Sequence, residues 1–202
     1  PISGAGSADT YRIDSRDELE RVLPAIRHVR EVSVEEWIEG EEYTFDTICV
    51  DGRIAWANIS WYRPNPIIQR TVEWISPQTV SLRNVEAPEL RPGWTLGEAV
   101  LQALDFKTGF THMEWFLTKK GEAIFGEIGA RPPGAKSVDI MNYNCDADFF
   151  AGWGEAVTHG NFSQPTRRKH NVSIIFKRAE GQGRIQRIHG LESILTKYGP
   201  HI

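Results

Sequence analysis

The distribution of hydrophobic and polar positions predicts two β-hairpins in the middle of the chain. Runs rich in Tyr, Thr, Phe and Ile favour strands, and Asp51-Gly52 is a strong signal for the tight turn of a hairpin. A second turn is predicted from Lys119 to Glu122. The four strands of these hairpins are predicted at residues 42–50, 53–62, 111–118 and 123–128.

Helical periodicity and capping residues predict three helices around the hairpins. Ser15 with Glu18, and Thr95 with Glu98, have the spacing of a capping box, and apolar residues follow each box at helical intervals. Pro24 interrupts the first of these patterns. The third helix is predicted at residues 146–159, short strands at 32–38 and 172–177, and a long loop with short strands at 63–92.

The second hairpin carries the most informative chemistry, a pair of glutamates. If the strands pair in register across the predicted turn, Glu114 lies directly opposite Glu127. The face behind this pair is almost wholly apolar, so it is predicted to be the buried face. The other pairs of this register are Phe116–Phe125, Leu117–Ile124, Trp115–Gly126 and Met113–Ile128.

Two opposed carboxylates on a sheet repel each other, and this repulsion has three possible outcomes. Both groups are solvated and indifferent to each other, one of them is protonated, or a cation lies between them. Mg²⁺ suits the third outcome, because it is commonly held by one or two carboxylates together with substrate phosphates. Arg131 follows in a turn rich in Pro and Gly, where it can meet a phosphate or form a plain salt bridge to one glutamate.

Two further segments admit either a structural or a binding interpretation. Residues 34–43 contain five glutamates around Trp37, Ile38 and Gly40, which is typical of an acidic surface turn or of a strand edge that binds a nucleoside. The small residues at the start of the chain are typical of a flexible loop, or of a loop whose N–H groups approach phosphates. This loop lacks the Gly-Lys-Ser/Thr of a Walker A motif.

Composition narrows the class of protein without identifying a function. In 202 residues, 40% are hydrophobic, 25% are charged and the net charge is -4, which argues against a general nucleic-acid binder. No stretch approaches the roughly 20 apolar residues of a membrane span, and no secretory signal is visible. Two cysteines favour a reducing, cytoplasmic location. Because the chain starts at Pro1 and ends abruptly at Ile202, we expect both ends to be cut from something longer.

Taken in this order, the small-residue start, the acidic segment and the glutamate pair resemble the ATP-grasp superfamily, and most closely its carboxylate–amine ligase-like members. The resemblance covers residues 1–160, and Glu-Ile-Gly-Ala-Arg-Pro-Pro-Gly at 127–134 is its most specific part. It implies an α+β fold, an ATP-grasp core with a mainly antiparallel sheet flanked by helices and a partial N-terminal lid. The implied regions are a lid at 1–45, a core at 46–160 and a small C-terminal region at 161–202 that is similar to biotin-carboxylase-like relatives.

The resemblance also implies a role for individual residues. In that family a small-residue loop closes over the phosphates of ATP, an edge strand holds the nucleoside and paired carboxylates hold Mg²⁺. The implied ligands are Gly4, Gly6 and Ser7 for phosphate, Glu35 and the backbone of Glu36 and Ile38 for adenine, Glu42 for ribose, Glu114 and Glu127 for Mg²⁺ or Mn²⁺, and Arg131 for the transferred phosphate.

The chain departs from the family pattern at two places. Gly129 stands where many members have an asparagine two positions after the second magnesium glutamate, so one metal-ligand oxygen is missing. The nucleotide-binding lysine expected before Pro1 and the family's N-terminal domain are also missing. We expect phosphate binding by this chain alone to be weak as a result. His112 and Lys136 are interpreted as residues beside the site or on the surface, not as catalysts.

The activity implied by the resemblance is ATP-dependent activation of a small-molecule carboxylate as an acyl phosphate, which an amine then attacks to form an amide or peptide bond. Two alternatives remain open: a bicarbonate-using carboxylase or carbamoyl-phosphate-like enzyme, and a nucleotide-binding remnant without catalysis. No nucleic acid or membrane partner is expected. The sequence determines neither the identity of the substrates nor the oligomeric state.

Overall fold

A computed structural model describes residues 10–179, 181 and 183–201. Its centre is a six-stranded antiparallel sheet in the order β5-β4-β1-β2-β3-β6. The strands are β1 (Gly40–Val50), β2 (Arg53–Arg63), β3 (Gln78–Ser81), β4 (Gly109–Thr118), β5 (Ala123–Gly129) and β6 (Val172–Ile175). The helices are α1 (Arg16–Ile26), α2 (Pro66–Thr71), α3 (Arg91–Ala103), α4 (Ser137–Cys145), α5 (Phe149–His159) and α6 (Leu191–Tyr198), with 3₁₀ turns at Pro88–Leu90 and Gly199–His201.

Both predicted hairpins are confirmed, and they form the middle of the sheet. Asp51 and Gly52 connect β1 to β2 with φ values of 48° and 77°, a conformation in which the missing Cβ of glycine avoids strain. β4 pairs with the other edge of β1, so the two hairpins share one continuous sheet. The α+β fold with a mainly antiparallel sheet is therefore confirmed.

Helix α3 packs on one face of the sheet, and two of its glycines lie at the contact. A Cβ on Gly93 would lie 2.1 Å from the ring of Trp115, and a Cβ on Gly97 would lie 2.3 Å from the ring of Phe45. The helix begins at Arg91, before the predicted start at Thr95, because a 3₁₀ turn and a proline in its first turn already set helical geometry there. The helix can approach the sheet this closely only because both positions lack a side chain.

Replacing Gly97 by alanine is expected to lower the free energy of unfolding by about 1–3 kcal/mol, because the added methyl group overlaps the buried ring of Phe45. The same substitution at Gly154 of α5, where a Cβ would meet nothing within 4 Å, is the matched control. Alanine's helix propensity should stabilise that variant by about 0.5–1 kcal/mol. Urea unfolding of both variants measures the difference. A Gly97→Ala protein as stable as the Gly154→Ala protein would contradict the packing argument.

The other face of the sheet is apolar in one half and polar in the other. Helices α4 and α5 cover the apolar half, where Trp56 stacks on Phe149 with ring centroids 3.7 Å apart. Helix α4 was not predicted, because its hydrophobic pattern is weak and its residues follow a loop signal rich in Pro and Gly. The polar half lies toward the start of β1 and the ends of β2 and β4, and it contains the paired glutamates.

Two predicted features near the ends of the chain have a different form in the structure. The strand predicted at 32–38 is wrong, since these residues pair with no other strand among those described and run without regular structure into β1. Strand β6 pairs with β3 and so adds part of the predicted C-terminal region to the main sheet. The division at residues 45 and 160 stays a prediction, although β1 runs across the first boundary. None of the described helices is long and apolar enough to cross a bilayer.

Candidate active site

The predicted pairing of Glu114 with Glu127 is confirmed by the register of β4 and β5. Beyond this pair the register shifts by one residue, so Trp115 lies opposite Phe125 and not opposite Gly126. Gly126 is the extra residue of this bulge, since the register passes over it. A Cβ there would lie 2.8 Å from the carbonyl oxygen of Glu114, so the position favours glycine. The predicted pairs on the turn side of Glu114 are therefore wrong by one position, while the glutamate pair itself is unaffected.

Glu42 is a third carboxylate on the same face of the sheet, and we call Glu42, Glu114 and Glu127 the carboxylate cluster. Glu42 is only 7% exposed, and it lies on β1 next to the β4 strand that carries Glu114. Burial, followed by the negative charges of Glu114 and Glu127, raises the pKa of Glu42 to about 8. In the absence of a cation, Glu42 is therefore mainly protonated at neutral pH.

Glu114 is held in place by its neighbours through one of its two oxygens. The Tyr62 hydroxyl donates to Oε1 at 3.2 Å, and Nε2 of His112 lies 3.5 Å from the same oxygen. Burial alone raises the pKa of Glu114, but His112, then Tyr62 and Arg131, outweigh it and lower the pKa below its usual value. Glu114 is therefore the member of the cluster that stays ionised most readily.

Behind Glu114 lies a buried ion pair between Asp46 and His112. Nδ1 of His112 is 2.6 Å from Oδ1 of Asp46, and the two side chains are 6% and 0% exposed. Burial lowers the pKa of His112, but hydrogen bonding and the charge of Asp46, followed by Glu114, raise it to about 9. The His112 imidazolium therefore lies between the carboxylate of Asp46 and the carboxylate of Glu114.

The chemistry of the cluster fits a divalent cation that a nucleotide helps to hold. No three acidic, histidine or cysteine side chains in the described part of the chain converge into a complete set of metal ligands. Mg²⁺ does not require such a set, because it commonly keeps water and takes oxygens from phosphates as well as from one or two carboxylates. Burial is the largest cause of the raised pKa of Glu42, and the negative charges of Glu114 and Glu127 add to it.

Arg131 lies beside the cluster on the loop after β5. Its Nη1 donates to the carbonyl of Pro132 at 2.9 Å, and its charge contributes to the lowered pKa of Glu114. The side chain crosses residue 129, since its Cγ and Nε lie 3.4 Å from the position of a Cβ on Gly129. A side chain at position 129 would therefore be in contact with the side chain of Arg131.

The other predicted ligands lie before β1. Glu35, Glu36 and Ile38 belong to the irregular segment that leads into β1, and Oε1 of Glu35 accepts from the Ser33 hydroxyl at 2.5 Å. Their backbone groups make no ladder hydrogen bonds in the described structure. Gly4, Gly6 and Ser7 lie outside the described residues. The assignment of these residues to a nucleotide stays a prediction.

Sequence reasoning missed the polar side chains that support the glutamates. Thr44 and Asp46 on β1 and Asn58 and Ser60 on β2 are at most 2% exposed, and none of them was predicted to belong to the site. The available signal was alternation, because polar residues at every second position of both strands point to one side of the sheet. Only the pairing of distant strands shows that this side is buried.

Comparisons with known proteins place the fold. No protein-family model matches this chain. An L-arginine-specific L-amino acid ligase of Bacillus subtilis is 29% identical over 138 residues, which is 65% of this chain and 32% of the relative. The chain thus spans about a third of the length of this curated relative.

Solved structures agree with this match. The crystal structure of an L-amino acid ligase from Bacillus licheniformis superposes with a TM-score of 0.72 and 21% identity over 93% of this chain and 47% of that one. A carboxyaminoimidazole ribonucleotide synthase from Aspergillus clavatus, complexed with ATP, gives a TM-score of 0.62 and 16% identity over 82% of this chain and 40% of that one. The chain therefore shares its fold with these solved structures of an L-amino acid ligase and a carboxyaminoimidazole ribonucleotide synthase.

Proposed function

We propose that this chain carries the nucleotide- and magnesium-binding centre of an ADP-forming ligase that joins a carboxylate to an amine. The observation that carries the proposal is the opposed pair Glu114 and Glu127, with Glu42 on the neighbouring strand and Arg131 beside the pair. The similarity to amino acid ligases over most of the chain supports amide or peptide bond formation over the bicarbonate alternative.

In this proposal Glu114 and Glu127 hold Mg²⁺ together with ATP phosphate oxygens. The ion would supply positive charge that offsets the charge of the phosphate oxygens. Glu114 suits this role because its pKa is lowered, so the ligand oxygen is available at neutral pH. Glu42, Glu35 and the backbone of Glu36 and Ile38 are proposed to bind the nucleoside, and the loop with Gly4, Gly6 and Ser7 the phosphates.

Arg131 is the proposed catalytic residue. When a carboxylate oxygen of the substrate attacks the γ-phosphorus, negative charge develops on the equatorial oxygens and ADP leaves. A guanidinium held beside the carboxylate cluster can donate to these oxygens and orient the substrate carboxylate. The amine then attacks the carbonyl carbon of the acyl phosphate, and inorganic phosphate leaves.

Calorimetry on the intact protein tests the metal assignment. ATP is expected to bind at least about 10-fold more tightly with Mg²⁺ than without it, and Glu127→Gln should remove most of this gain, since a carboxylate ligand is lost. The control is Glu122→Gln, which removes the same charge from the exposed turn of the same hairpin and should change nothing. Binding that ignores both Mg²⁺ and Glu127 would exclude the metal site.

ADP release separates the proposed reaction from its alternatives. The ligase should release ADP only when a carboxylic acid and an amine are both supplied, and free amino acids are the first substrates to screen, given the similarity to amino acid ligases. ADP release that requires bicarbonate and no amine would favour the carboxylase reaction. Tight ATP binding without any ADP release across the screen would favour a binding protein without catalysis.

A further inference from the structure

We infer that Asp46, His112 and Tyr62 are positioning residues that fix the orientation of Glu114 and thereby set the affinity of the site for its divalent cation. This inference rests on the proposed function, since it concerns the same metal-binding carboxylate. It adds a defined role for three residues that would touch neither nucleotide nor metal.

Tyr62 and His112 contact the same oxygen of Glu114. Tyr62 donates to Oε1 at 3.2 Å, and Nε2 of His112 lies 3.5 Å from Oε1. Oε1 thus faces a hydroxyl donor on β2 and a cationic ring on its own strand, and these two contacts restrict the orientation of the carboxylate.

The orientation of His112 is in turn fixed by Asp46. Its Nδ1 is 2.6 Å from Oδ1 of Asp46, while Oδ2 of Asp46 accepts from the Thr44 hydroxyl at 2.6 Å and from Nδ2 of Asn58 at 3.2 Å. The Ser81 hydroxyl in turn donates to Oδ1 of Asn58 at 2.7 Å. The chain of contacts thus runs from β3 through β2 and β1 to β4 and ends at the carboxylate cluster.

The stability of the fold is by itself a weak reason for a buried pair of Asp46 and His112. A buried ion pair loses solvation for both charges, and apolar residues of similar volume often replace such pairs without loss of stability. Outer residues that orient a metal ligand, in contrast, typically change metal affinity or activity 10–100-fold when replaced. The position of Asp46 and His112 directly behind a candidate metal ligand matches the second role.

The test measures Mn²⁺ binding to the intact protein by electron paramagnetic resonance. β,γ-Methylene-ATP is present in place of ATP, so that binding is measured without turnover. Asp46→Asn and His112→Asn are expected to weaken Mn²⁺ binding about 10-fold or more. His112→Gln, whose amide nitrogen can reach the position of Nε2, should recover part of the loss. Tyr62→Phe removes a single hydroxyl and should weaken Mn²⁺ binding less than Asp46→Asn does. If the Asp46 variant does not fold, Tyr62→Phe still tests the inference.

Thr47→Val is the matched control. The Thr47 and Thr111 hydroxyls form a buried hydrogen bond of 2.6 Å between the same two strands, one position further along and on the opposite face. If loosened β1–β4 pairing explains the effect, Thr47→Val should weaken Mn²⁺ binding as much as Asp46→Asn does. That result, or unchanged binding in folded Asp46→Asn, His112→Asn and Tyr62→Phe proteins, overturns the inference. Failure of the wild-type protein to bind Mn²⁺ with the nucleotide overturns the proposed function itself.

Discussion

Replacing Arg131 by alanine in the intact protein is expected to lower kcat for ADP formation about 1,000-fold, because the variant loses the cation that meets the developing phosphoryl charge. Arg131→Lys should recover only part of this rate, since an ammonium keeps the charge but cannot donate two parallel hydrogen bonds to a phosphate. ATP affinity should change much less than kcat, because the charge that Arg131 stabilises develops mainly in the transition state.

Steady-state kinetics of ADP release with saturating ATP measures this effect. The control is Lys136→Ala, which removes a neighbouring cation that lies 3.5 Å from Asp139 on the surface, and it should leave kcat within about twofold. A loss of less than about 10-fold in Arg131→Ala would be too small for a residue that stabilises the transition state directly. A loss confined to KM for ATP would assign Arg131 to nucleotide binding.

Glu42→Gln is expected to stabilise the protein at alkaline pH by about 2–4 kcal/mol when no divalent cation is present. The pKa of Glu42 is 4.5 in its unperturbed state and about 8 in the fold, so the fold favours the protonated form. Stability from this group is therefore complete below pH 4.5 and is lost as the pH rises to about 8. Glutamine is neutral throughout and escapes this loss.

Urea unfolding at pH 5 and at pH 9 in the presence of a chelator measures the difference between Glu42→Gln and the wild-type protein. The gap in free energy of unfolding should be small at pH 5 and large at pH 9. Glu122→Gln, at an exposed turn position, should show no such widening. A gap between Glu42→Gln and wild type that is equal at both pH values would mean that the carboxylate is not forced into its neutral form. Mg²⁺ with ATP should narrow the gap if the cluster holds the cation.

Local sequence patterns were sufficient for the two central hairpins and for the glutamate pair. A turn such as Asp51-Gly52 determines which strands meet, and the period of two then determines which side chains share a face. The bulge at Gly126 escaped prediction because it depends on the close approach of the carbonyl of Glu114 from the neighbouring strand. The strand predicted at 32–38 failed for a related reason, since an extended segment becomes a strand only when another strand pairs with it.

The sequence alone determined the paired carboxylates Glu114 and Glu127 and the arginine beside them, because turn chemistry and alternation act over a few residues. The α+β class was implied by the resemblance to a known family. Tertiary structure alone decided that the polar residues of β1 and β2 behind the glutamates are buried, that Glu42 joins the cluster, and that Asp46 meets His112 across 66 positions of the chain. Burial and long-range pairing control pKa, and both depend on strands that are distant in sequence. The ionisation states on which the proposed chemistry depends are therefore properties of the assembled sheet and not of any segment within it.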